Sequence, residues 1–107
     1  MKDAEIKAQA LLVAEQQLAA LNTAAAAQIV RIQDRVETLG YGIEAGKATE
    51  AEFAEAASFA ITLKAWKNYK YQLGKVTAQP NWHQQPTWPD QPATPNIEAS
   101  DALARAA

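Results

Sequence analysis

The sequence predicts an all-α protein: a long antiparallel helical hairpin followed by an extended C-terminal arm rich in proline and tryptophan. Three observations predict it. Strong helix formers fill Asp3 to Ala45 with no proline among them. A helix-start signature at Thr49-Glu50-Ala51-Glu52 comes shortly after Gly46. All five prolines lie between Pro80 and Pro95, where no helix can absorb them. We place the helices at about 3–45 and 49–76, forming a hairpin over residues 1–77, and the arm over 78–107.

The first helix is the stronger signal. Apolar residues recur at Leu11, Ala14, Leu18, Leu21, Ala25, Ile29, Ile32, Val36, Leu39 and Ile43. These steps of three and four are a heptad rhythm with one stutter near Ala25, so the stripe keeps to one face. Asp3 is placed to cap the start and to pair with Lys7. A helix of this length spans ~65 Å at ~1.5 Å per residue. The second helix is shorter by roughly a third, too short to cover Ile6, Leu11 and Leu18. Those side chains are left for another copy, the tail or a client. Gly40 and Gly42 weaken the last turns, and Gly46 suits the left-handed position that closes a helix.

The connection from Gly46 to Thr49 is short, which predicts antiparallel neighbours. In the second helix, Glu50, Glu52 and Glu55 sit near the start and Lys64, Lys67, Lys70 and Lys75 near the end, as the helix dipole favours. Its buried stripe is expected to be Phe53, Ala56, Ala60, Leu63, Trp66, Leu73 and Val76, flanked by Phe59 and Tyr69. The lysines interleaved with Trp66, Tyr69 and Tyr71 also form a weaker pattern for stacking on single-stranded nucleic acid. The acidic half of the same helix opposes that use.

Composition bounds the remaining choices. The chain has 107 residues, which is one domain at most. Alanine supplies much of its 49% apolar content, so the predicted core is thin and calls for oligomerisation or a bound client. With no cysteine there is no disulfide framework or thiol nucleophile. A net charge of −2 disfavours a dedicated nucleic-acid binder. The charged start and the lack of any membrane-length apolar run predict a soluble chain made inside the cell. His83 is the only histidine and stands among prolines and glutamines, so no metal site is expected. No phosphate-binding loop or nucleophile motif appears, and the glutamates read as solvated faces or caps. No catalytic residue and no cofactor are expected.

In the arm, Trp82 and Trp88 are costly to leave in water. Either they fold back on the hairpin or they anchor a partner. Ser100 is in position to cap a short helix through Arg105.

Several stretches, in order, carry a resemblance. Gly46-Lys47-Ala48-Thr49-Glu50 closes one helix and opens the next. Leu63 precedes an Ala-Trp-Lys-x-Tyr core at Ala65-Trp66-Lys67-Asn68-Tyr69, followed by Lys70. Leu73 and Val76 follow, and then a Trp-Pro-x-x-Pro ending at Trp88-Pro89-Asp90-Gln91-Pro92. Upstream, Ile32-Gln33-Asp34-Arg35-Val36 echoes a Leu-Gln-Asp-Ala-Val segment. From about Ile29 to Pro92 the chain thus resembles the C-terminal region of the tail fibre assembly (Tfa) proteins of tailed bacteriophages. The β-rich N-terminal portion of longer members has no counterpart in these residues.

The resemblance implies a chaperone that binds the C-terminal tip of a phage tail fibre and assists its folding and trimerisation. It would act in the bacterial host cytoplasm during assembly, and some members stay on the virion fibre. The residues expected to contact the partner are Leu11, Leu18, Trp66, Tyr69, Tyr71, Trp82, Trp88 and Pro89. The alternative is a structural coiled-coil adaptor or tip component of a phage tail that oligomerises through its first helix.

Overall fold

A computed structural model of the chain describes residues 2–97. It is all-helical, with two helices, a short 3₁₀ turn and no strand among the described residues. Helix α1 spans Lys2–Glu44, α2 spans Glu50–Leu73, and the 3₁₀ turn spans Val76–Ala78. The expected roles of the Asp3 side chain and of Ser100 lie outside the described residues.

The turn between the helices forms as the local chemistry dictates. Gly46 takes φ +71°, where a side chain would be strained. Its N–H donates to the Ile43 carbonyl at 3.1 Å, and the Lys47 N–H donates to the Gly42 carbonyl at 3.0 Å. This pair of bonds satisfies the carbonyls that a helix end leaves free. Three residues later the Thr49 hydroxyl accepts from the Glu52 N–H, and the Glu52 carboxylate accepts from the Thr49 N–H. The reciprocal cap starts α2 and fixes the angle at which the chain returns.

α2 stops three residues short of the expected end. The Gly74 N–H bonds back to the Lys70 and Tyr71 carbonyls, and the chain tightens into the 3₁₀ turn beyond it. Val76 is nonetheless buried, as its place in the stripe predicts.

The helices pack in a hairpin-like fold. Ala25, Ile32, Trp66, Tyr69 and Leu73 form the buried cluster, with Leu18, Leu21, Ile29, Val36, Phe59 and Leu63 packed round it. The α1 side of this seam is the predicted stripe. The α2 side needs a correction at its first half. Phe53 and Ala60 are exposed, and the seam instead runs through Glu52, Glu55, Phe59, Thr62, Trp66, Tyr69 and Leu73 in steps of three and four. Glu52 is held by the cap and Glu55 by Arg35, so polar side chains occupy seam positions there. The apolar Phe53 is thereby turned about a quarter-turn or more off the seam.

Residues 79–97 form no regular helix or strand, yet they lie against the helices. The Trp66 Nε1–H donates to the Ala93 carbonyl at 3.2 Å, and Arg31 Nη2 donates to the Pro95 carbonyl at 2.9 Å. Ile97 is fully buried in the main cluster and Trp88 packs at its edge. A segment of five prolines cannot pair its own backbone well, so side chains of the helices supply the missing donors. Before it reaches the core the segment makes a closed loop. The Gln79 amide donates to the Thr87 carbonyl and accepts from the Thr87 N–H, both at 2.9 Å. Within that loop Asn81 takes the left-handed φ of +54° that asparagine tolerates.

Candidate partner-binding surface

The two helices differ in length, 43 residues against 24, and among the described residues this leaves the first turns of α1 with no stretch of α2 beside them. The molecule is accordingly long and thin, with principal extents of 67 × 30 × 16 Å. Ala14 is the first buried residue along α1. Before it, Ile6, Leu11, Leu12 and Val13 are all exposed, and all but Leu11 by more than half. Successive helical residues point about 100° apart, so Leu11, Leu12 and Val13 make this turn apolar over more than half its circumference. Such a segment presents greasy surface in several directions at once, which suits insertion between the elements of a partner.

The eight residues expected to meet a partner fall into three groups. Leu11 and Tyr71 are exposed, at 37% and 64%, but stand on different helices and do not form one patch. Trp82, Trp88 and Pro89 are half-buried in the 79–97 segment, Trp82 with its ring edge-on to His83. Leu18, Trp66 and Tyr69 belong to the core instead. Trp66 and Tyr69 are buried against each other in a T-shaped pair with ring centres 5.5 Å apart, and neither offers surface to a partner in this fold. Leu18 was expected to outreach α2, but it packs against the main cluster. The fold thus buries Trp66 and Tyr69, packs the half-buried Leu18 and Trp88 against the same cluster, and leaves Leu11 outside.

Sequence reasoning found Ile6 and Tyr71 among the exposed apolar side chains but missed five others. Leu12, Val13, Val30, Tyr41 and Ile61 fall off the heptad stripe, and that departure from the stripe is the signal that marks them. Ile97 was missed as core because a lone isoleucine after a proline run carries no periodicity to read.

The surface offers little to chemistry. A groove of about 240 Å³ is lined by Arg35, Glu55, Phe59 and Asn96. The hydrogen-bonded Arg35 guanidinium lowers the Glu55 pKa, the opposite of what a general acid requires. Burial pushes the Tyr69 hydroxyl up, and the exposed Tyr41 hydroxyl is raised by its bond to Glu37. Among the described residues no group of three histidines, carboxylates or thiols is placed to hold a metal ion. No helix among them is long and apolar enough to cross a membrane. Every buried side-chain nitrogen or oxygen among them has a hydrogen-bond partner.

No family model, curated protein or solved structure matches the chain.

Proposed function

We propose that this chain is a tail fibre assembly chaperone of the bacteriophage type. In this reading it is a long antiparallel hairpin with a C-terminal arm that binds the C-terminal tip of a fibre and assists its folding and trimerisation. It works in the host cytoplasm during assembly and is a candidate for retention on the fibre. The observation that carries the reading is the unpartnered apolar start of α1, from Ile6 to Val13. The Ala-Trp-Lys-x-Tyr and Trp-Pro-x-x-Pro motifs support it from the sequence side. Trimeric β-structured fibres pair strands that are distant in sequence, so they expose edges and apolar surface while they fold. A protruding greasy helix is suited to cover that surface for a time.

Co-expression with the tip fragment of a trimeric fibre tests the reading. The expected result is a higher yield of soluble trimer and co-purification of the two chains. The Leu12→Asp/Val13→Asp double variant is expected to lose both effects while folding normally. Unchanged trimer yield with the wild-type chain would reject the chaperone role. Fixed stoichiometry in finished particles without any effect on trimer yield would instead favour the structural adaptor.

A further inference from the structure

The outer side of α2 carries a pattern that neither the core nor the overhang of α1 uses. Opposite the Trp66–Leu73 seam, Glu50, Phe53, Ile61, Lys64 and Tyr71 fall within a band about 80° wide along α2, Lys75 continues it just past the helix end, and every one is exposed. The solvent side of a helix is normally polar. This one carries large apolar side chains exposed by 51% at Phe53, 73% at Ile61 and 64% at Tyr71. Single exposed apolar residues need no explanation, but three on one line make a strip.

The strip is also self-complementary. Its midpoint falls between Thr62 and Leu63. Glu50 and Lys75 are equidistant from that midpoint, as are Ile61 and Lys64, and Phe53 and Tyr71 differ by a single position. A two-fold axis through the midpoint therefore sets acid against base at both ends and aromatic beside aromatic just inside them. Self-complementarity of this kind is what a two-fold contact requires, and an unrelated partner has no need of it. About one and a half turns from the axis, Ala57 is small enough to let two helices approach to about 8–10 Å. The Lys75 ammonium already sits 5.3 Å from its own Tyr71 ring centre, which holds the cation at the end of the strip.

We propose that α2 pairs antiparallel with α2 of a second copy through this strip. Glu50 then faces the partner's Lys75, Phe53 lies beside the partner's Tyr71, and on each side of the axis Ile61 lies against the aliphatic stem of the partner's Lys64. This proposal is independent of the chaperone reading. The strip is about seven turns long, but only three large apolar side chains a copy lie along it, so association belongs in the micromolar range or weaker.

Sedimentation equilibrium of the full chain, from low micromolar to near-millimolar protein, tests it. The wild-type chain is expected to pass reversibly from one-chain to two-chain mass. Ile61→Lys, which sets a like charge against the partner's Lys64, is expected to weaken association at least about tenfold with unchanged helical circular dichroism. E50K and K75E each set like charges opposite one another, so each alone is expected to associate less than wild type. Mixed in equal amounts they restore both charge pairs, and association is expected to recover as a mixed dimer. A wild-type chain that keeps one-chain mass throughout overturns the proposal. So does a mixture that associates no better than its components. If Leu12→Asp abolishes self-association and Ile61→Lys does not, the overhang of α1 is the contact and the strip is not.

Discussion

The Arg35 guanidinium holds both carboxylate oxygens of Glu55, with Nε 2.8 Å from Oε2 and Nη2 3.0 Å from Oε1. This two-pronged bond joins α1 to α2 part-way between the turn and the aromatic core. It stands where an apolar pair would be expected, with side-chain exposures of 19% and 30%. The planar fork matches the carboxylate and makes the contact directional, which fixes how far one helix can slide along the other.

A double-mutant cycle of Arg35→Ala and Glu55→Ala is expected to give a coupling of about 1 kcal/mol, the upper end for a partly exposed pair. The pH dependence has a definite sign. The Glu55 pKa is lowered in the folded chain, chiefly by the Arg35 hydrogen bond. Its contribution is therefore present above the unfolded carboxylate value and lost as pH falls through the lower folded value. The Arg35 pKa is raised by the same bond, so it adds nothing to the acid window. Urea titrations from neutral to acid pH check this: Glu55→Gln should remove that part of the acid destabilisation.

The two glycines at the end of α1 should respond in opposite directions. Gly46 has φ +71°, and Gly46→Ala is expected to destabilise by about 1 kcal/mol through strain alone. Gly40 is helical, and a Cβ there would meet nothing within 4 Å. Gly40→Ala is expected to stabilise by roughly 0.5–1 kcal/mol. Thermal melts of the two variants should move apart on either side of wild type.

Ile97 is the only described core residue contributed by the segment after Val76, and it is completely buried. Ile97→Ala should cost about 2–5 kcal/mol, the range for removing a well-packed branched side chain. Loosening this segment also exposes Trp66, whose Nε1–H is bonded to Ala93. A red shift in tryptophan emission with helical content largely kept would locate the damage at this contact.

Leu12→Asp and Val13→Asp lie on exposed helix with no neighbour to disturb. Stability is expected to stay within about 0.5 kcal/mol of wild type apart from small propensity effects. A large loss of stability in the isolated chain would mean that this turn is packed rather than presented.

Most of the hairpin was legible because its signals are local. The Gly46 closure and the Thr49/Glu52 cap need only a few adjacent residues, and the α1 stripe repeats often enough to survive a stutter. The first half of α2 was not legible, because Glu52 and Glu55 hold seam positions and Phe53 and Ala60 mimic a seam that is not there. Hydrophobicity cannot reveal that a glutamate belongs inside until its arginine, twenty positions away, is known to face it. The arm was hardest for the same reason. Its place depends on the Trp66 and Arg31 donors meeting the Ala93 and Pro95 carbonyls, and such bonds leave no trace in local pattern. For the contact surface, aromatic residues were weighed as anchors, whereas burial claimed Trp66 and Tyr69 and left the aliphatic Leu12 and Val13 outside.

The order in which the core is completed follows from where Ile97 stands along the chain. A ribosome delivers α1 first, α2 next, and this residue only after another twenty-four from Leu73. At roughly 5–20 residues per second that interval lasts about one to five seconds, far longer than a helix takes to form. Each newborn molecule thus passes through a stage in which both helices exist while Trp66 and Leu73 still lack their lid. During those seconds these two side chains are open to other chains.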